Sequence, residues 1–150
     1  MEITRRVEAG ETMSEILELP REVTELVASV AAAALESGRA AEAEQVLEGL
    51  VAVHPRDATS WALLARAHLR TGKELAARFA AEVGRQLSPA DPGVRLARAE
   101  VLLGSGEERD AALQELRGLR GVPGAHGERA AALRSGLGEG ERSPEARRSP

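Results

Sequence analysis

The chain has 150 residues, enough for one ordinary domain or a short repeat array. Apolar residues make up 43% of it but aromatics only 1%, Trp61 and Phe79, so the core must be built from Ala, Leu and Val in closely approaching helices. The absence of cysteine excludes disulfides and Cys-ligated metal sites, and a net charge of −4 argues against the basic face of a nucleic-acid binder.

Residues 1–23 form an N-terminal segment. Met1–Gly10 is charged and lacks an apolar core, so no secretory signal is expected. Thr12 and Glu15 have capping-box spacing and predict a short helix through Leu19, which Pro20 ends before a longer helix begins. The longest uncharged apolar stretch, Leu26–Leu35, is about half of what a bilayer crossing needs, so no membrane insertion is expected.

From there the chain is periodic. Gly38, Gly72 and Gly106 are 34 residues apart, and the same step links Ala43, Ala77 and Ala111, then Pro55, Pro89 and Pro123. Ala31, Ala65 and Ala99 keep it too, as do Leu35, Leu69 and Leu103. Each Gly provides a tight turn between two antiparallel helices, and each Ala a point where helices press together. Each Pro stops the second helix of its unit. With Trp61, Leu64, Ala65, Gly72, Ala77 and Pro89 in place, the pattern resembles the tetratricopeptide repeat. The expected fold is all-α: three helix–turn–helix repeats at 24–57, 58–91 and 92–123 in a right-handed superhelical array, preceded by the short N-terminal helix. The third unit is the most eroded, with Arg95 where the pattern has Trp.

Residues 124–150 are rich in Gly, Arg, Glu, Ser and Pro and have one short helix-capable stretch, Glu128–Leu133. Lacking an apolar stripe, they read as a mostly disordered tail, and the repeats are expected to fold without them.

Little in the sequence could carry chemistry. His54, His68 and His126 form no ligand or catalytic pattern: His54 reads as a solvated turn residue and His68 as a packing filler. Glu44 and Glu48 read as a solvated helix face. Thr71-Gly72-Lys73 and Gly104-Ser105-Gly106 lack the strand–turn–helix context of a phosphate loop or a nucleophile elbow. No enzymatic activity, cofactor or metal is expected.

What remains is a surface. In a stack of helix pairs, the first helices line a concave groove suited to a peptide or partner helix. Helical geometry nominates Ala28, Ala32 and Leu35 from the first unit, Ala62, Arg66, Leu69 and Arg70 from the second, and Leu96, Glu100 and Leu103 from the third. These make an Ala/Leu floor, with Arg66 and Arg70 as carboxylate-binding forks at its rim. For Leu35, Leu69 and Leu103 a place in the inter-repeat core is favoured over partner contact.

A narrower resemblance follows from T-M-S-E-I-L-E-L at 12–19, the stretches at 35–53 and 70–76, and D-P-G-V-R-L-A-R-A-E-V-L-L-G-S-G-E at 91–107. In these features the chain is similar to the class II translocator chaperones of bacterial type III secretion. The resemblance implies a cytoplasmic, non-catalytic chaperone, a weak homodimer, whose groove grips an apolar segment of a secreted hydrophobic translocator. Those relatives carry Tyr and Phe in the groove where this chain has Ala. The alternative is a general cytoplasmic scaffold of the same repeat class with no role in secretion.

Overall fold

The computed structural model describes residues 2–11 and 19–139. Its helices are α1 (Glu2–Glu8), α2 (Arg21–Glu36), α3 (Ala40–Val53), α4 (Ala58–Arg70), α5 (Glu74–Leu87), α6 (Pro92–Gly104), α7 (Arg109–Arg117) and α8 (Ala125–Gly136). No strand occurs among the described residues, and the architecture is that of a tetratricopeptide-like helical repeat protein. The capping box expected at Thr12 and Glu15 lies outside the described residues.

Helices α2 and α3, α4 and α5, and α6 and α7 pack as successive hairpins, and each hairpin also packs on the next. The turns are set by glycine. Gly38, Gly72 and Gly106 have φ of 81°, 78° and 72°, a region an L side chain enters only with strain. At the first two, the residue after the glycine donates its N–H back to Ala34 and His68 respectively, and the glycine N–H bonds to Leu35 or Leu69. That double closure is the Schellman arrangement, which satisfies the last carbonyls of the helix. The following hairpins open on aspartate caps: Asp57 accepts from the Ser60 N–H at 3.2 Å and Asp91 from the Val94 N–H at 3.0 Å.

Small residues let the helices close up. Ala31, Ala65 and Ala99 are buried on the first helices, and Ala43 and Ala77 on the second helices of the first two hairpins. In the third hairpin the buried position is Ala112, while Ala111 is only partly covered. The turn there runs one residue longer, because α7 starts from Glu108 where α5 starts from Lys73. One inserted residue rotates a helix by about 100°, so the next alanine takes the inward position.

The expectation of a mostly disordered tail is corrected over residues 125–136, which form α8. Its Ala130 is fully buried, and Leu133 and Leu137 pack with it against Leu96, Ala99, Leu103, Leu116, Leu119 and Val122. Its signal was the same period carried one step further. Ala28, Ala62, Leu96 and Ala130 are spaced by 34, as are Leu35, Leu69, Leu103 and Leu137. Thus α8 takes the place of a fourth first helix and closes the end of the stack.

The fit of α8 is tight. A Cβ on Gly127 would fall 1.7 Å from the Val122 carbonyl oxygen, so only glycine lets the two backbones approach this closely. Arg109 donates to the Leu137 carbonyl, and Glu139 pairs with Arg117 and, at 3.7 Å, with Arg120.

Candidate peptide groove

The first helices of the first two hairpins, α2 and α4, border an open cavity of about 950 Å³. Its floor is apolar: Ala28 and Ala32 of α2 face Leu63 of α4. The turn His54–Asp57 forms one wall, Arg21 and Glu25 stand at the rim, and His126 of α8 reaches the opposite side. Thr24 is buried and shares a hydrogen bond of 2.6 Å with His54 Nε2, which locks the turn to α2. His54 is therefore a partly covered structural residue rather than a solvated one. His126 is placed by α8, against Gly93 at the start of α6.

The ten residues nominated from the sequence divide sharply. Ala28 and Ala32 line the cavity, Ala28 as a buried residue, 6% exposed, that also belongs to the core, and Ala32 as a partly covered one. Leu35, Ala62 and Leu96 are buried at 1%, 4% and 2% exposure and belong to the core, not to an open surface. Their helices turn them toward the neighbouring hairpin, a rotation that a 34-residue period alone does not specify. Leu69 and Leu103 are half-buried packing residues, and Leu69 Cδ1 lies so close to Gly104 that a Cβ there would meet it at 2.8 Å. Leu63, Thr59 and His126 line the cavity as well. Thr59 follows from the same helical reasoning, whereas Leu63 and His126 were missed.

Arg66, Arg70 and Glu100 are corrected in role. Arg66 donates to Glu100 at 2.9 Å and lies 3.6 Å from Glu36, while Arg129 of α8 donates to the other Glu100 oxygen at 3.2 Å. Glu36, Arg66, Glu100 and Arg129 thus form an alternating ladder across α2, α4, α6 and α8. Side-chain exposures of 14% for Arg66 and 10% for Glu100 mark its centre as largely desolvated. Arg70 donates to the Leu35 carbonyl, satisfying a helix-end acceptor. Arg66 is thus engaged in ion pairs within the molecule, whereas Arg70 is exposed and commits one N–H to the Leu35 carbonyl. The ladder bounds the open groove, which is confined to the α2–α4 side.

Elsewhere, Trp61 donates its indole N–H to the Pro55 carbonyl at 2.8 Å and meets Phe79 edge-on, ring centres 6.1 Å apart. Phe79 and Leu75 of α5 are exposed, as are Val23, Leu26 and Val30 along one stripe of α2. No described helix is long and apolar enough to cross a membrane.

A stack of helix hairpins with a short apolar groove and a closed far end defines a tetratricopeptide-like repeat protein. The sequence match over residues 5–95 is more specific: the chain belongs to the bacterial transcriptional activator domain family. No curated protein matches it significantly. Among solved structures, the fold is similar to the type III secretion translocator chaperone SycD of Yersinia enterocolitica, with a TM-score of 0.61 and 21% identity over 90% of this chain and 87% of that one. It is similar also to a T3SS complex from Aeromonas hydrophila (TM-score 0.63, 18% identity, 92% and 86% covered). A third match is PcrH in complex with the chaperone binding region of PopB (TM-score 0.60, 18% identity, 77% and 97% covered). At these identities the likeness is one of fold.

Proposed function

We propose that this chain is a non-catalytic peptide-holding module of the cytoplasm, a chaperone whose α2–α4 groove takes a short apolar segment of a client of the secreted-translocator type. The observation that carries this reading is the 950 Å³ cavity itself, with an Ala28, Ala32 and Leu63 floor and charge only at its rim. An extended segment gains there by burying small apolar side chains, while Arg21, Glu25 and Asp57 offer polar contacts to its backbone. The complex of PcrH with the chaperone binding region of PopB supports the idea that such a fold holds a segment of a partner. The α2 stripe of Val23, Leu26 and Val30 supports a weak homodimer as a further partner.

The family match favours a second reading, a protein-contact module within a transcriptional activator, with no part in secretion. Both readings use a groove and differ in its occupant. A peptide array tiled across the host's secreted translocators and its transcriptional regulators separates them, with fluorescence anisotropy on the peptides selected. Translocator segments bound by the native chain and lost by Ser29→Trp and Ala32→Trp, which fill the cavity, are the expected result. Selection of regulator segments favours the second reading. Equal binding by the filled variants contradicts both.

A further inference from the structure

Away from the groove, α3 and α4 meet around three ligand-type side chains. Glu44 and Glu48 stand one turn apart on α3, and His68 enters from α4. Their spacing suggests a solvated carboxylate face, but Glu44 is only 5% exposed and His68 only 8%. One ligand atom from each of the three lies within 4.8 Å of the others.

His68 is the informative member. Its Nδ1 is buried and has no hydrogen-bond partner, and it points at Glu44 Oε1 across 3.6 Å, too far for a hydrogen bond. An orphaned buried nitrogen is costly, and such atoms in native proteins commonly mark a water or an ion. The Glu44 carboxylate is already arranged to meet a cation. The Thr71 hydroxyl donates to one of its oxygens at 2.5 Å, and the Lys73 ammonium contacts the other. Lys73 leads from the Gly72 turn and its side chain is 55% exposed, so it can swing into water at little cost.

We propose that Glu44, Glu48 and His68 form a zinc site, ligated through two carboxylates and the His68 Nδ1, with Lys73 as the resident counter-charge that zinc displaces. The donor set decides the metal. An imidazole nitrogen with carboxylates suits zinc, whereas calcium and magnesium take oxygen ligands throughout. Two carboxylates balance the two charges of the ion, and His68 binds neutral with its ring proton on Nε2. The bound ion ties the first hairpin to the second and gives the orphaned nitrogen a partner.

The test uses the untagged full chain, titrated with zinc chloride by calorimetry and with cobalt chloride by visible absorption, magnesium chloride serving as control. One site per chain is expected, with cobalt ligand-field bands and no magnesium binding. His68→Gln and Glu48→Gln should each weaken zinc binding about tenfold or more. Lys73→Met should tighten it by removing the competing ammonium, while His54→Gln and His126→Gln leave it unchanged. Glu48 is exposed, so its variant reports even where His68→Gln folds poorly. Absence of zinc binding by the native chain overturns the site. So does binding indifferent to Glu48→Gln, or binding abolished by His54→Gln or His126→Gln.

Discussion

The two ends of the row of first helices are built on the same helix register and do opposite things. On the α2–α4 side, the inward positions carry Ala28, Ala32 and Leu63, and a cavity stays open. On the α6–α8 side, Arg129 reaches Glu100 and Ala130 plugs the core. Period sets where each helix lies. The side chains placed on that lattice decide whether a position becomes groove or seal. Small apolar residues without charge partners leave space, whereas an alternating row of Glu and Arg zips it shut.

The largest expected effect breaks the closed end outright. Removing residues 123–150 uncovers Leu96, Leu103, Leu116 and Leu119 together, so the truncated chain should lose much of its helical circular dichroism or melt far lower. This reverses the expectation, drawn from composition, that the repeats stand without the tail. A gentler break is Gly127→Ala, which sets a methyl group against the Val122 carbonyl. It should loosen the docking of α8 without releasing it and cost about 1–3 kcal/mol in urea unfolding, and hydrogen exchange should rise in α8 while α2–α5 stay protected.

The ladder offers a break of similar size that is more local. Glu100→Gln leaves Arg66 and Arg129 facing an amide, with Arg66 still paired to Glu36. A loss of about 1–3 kcal/mol is expected by urea denaturation, most of it from the largely desolvated Arg66 partner. A loss near zero would mean that the ladder is ordinary surface charge and does not hold the far end closed.

The smallest effect comes from acid. The Arg117 hydrogen bond, opposed by partial burial and aided by the charges of Arg117, Arg120 and Arg134, holds the Glu139 carboxyl below its usual value of 4.5. A depressed carboxylate contributes its stabilisation fully above that value and loses it as pH falls through the lower folded one. Exchange protection of α8 should therefore decline below pH 4.5 in the native chain, and Glu139→Gln should show a smaller decline while starting from weaker protection.

The sequence made the hairpins legible because their turns demand glycine at fixed intervals and their contacts demand alanine. Position classes such as Ala31, Ala65 and Ala99 translate directly into burial. The orientation of each helix about its own axis was much less legible. Ala28, Ala62 and Leu96 share one spacing and all three are buried, but only Ala28 also borders the cavity, because Ala62 and Leu96 each have a neighbouring hairpin on the side where α2 has open space. A charged substitution such as Ala62→Glu would therefore break the core rather than probe the groove. The roles of Arg66 and Arg70 depend on partners 30 or more residues away, which composition does not reveal. The helix over 125–136 was hidden by its polar setting, although Ala130 and Leu137 continue the repeat in step.

The central claim, that the α2–α4 cavity holds a client segment, is tested most directly by site-specific photo-crosslinking in the native host. A crosslinker at Ser29 lies in the cavity, and one at Gln86, exposed on α5, lies outside it. The account predicts that Ser29 captures one short segment of a partner protein, mapped by mass spectrometry, and that Gln86 does not. Equal capture from both positions, or capture from Gln86 alone, would contradict it.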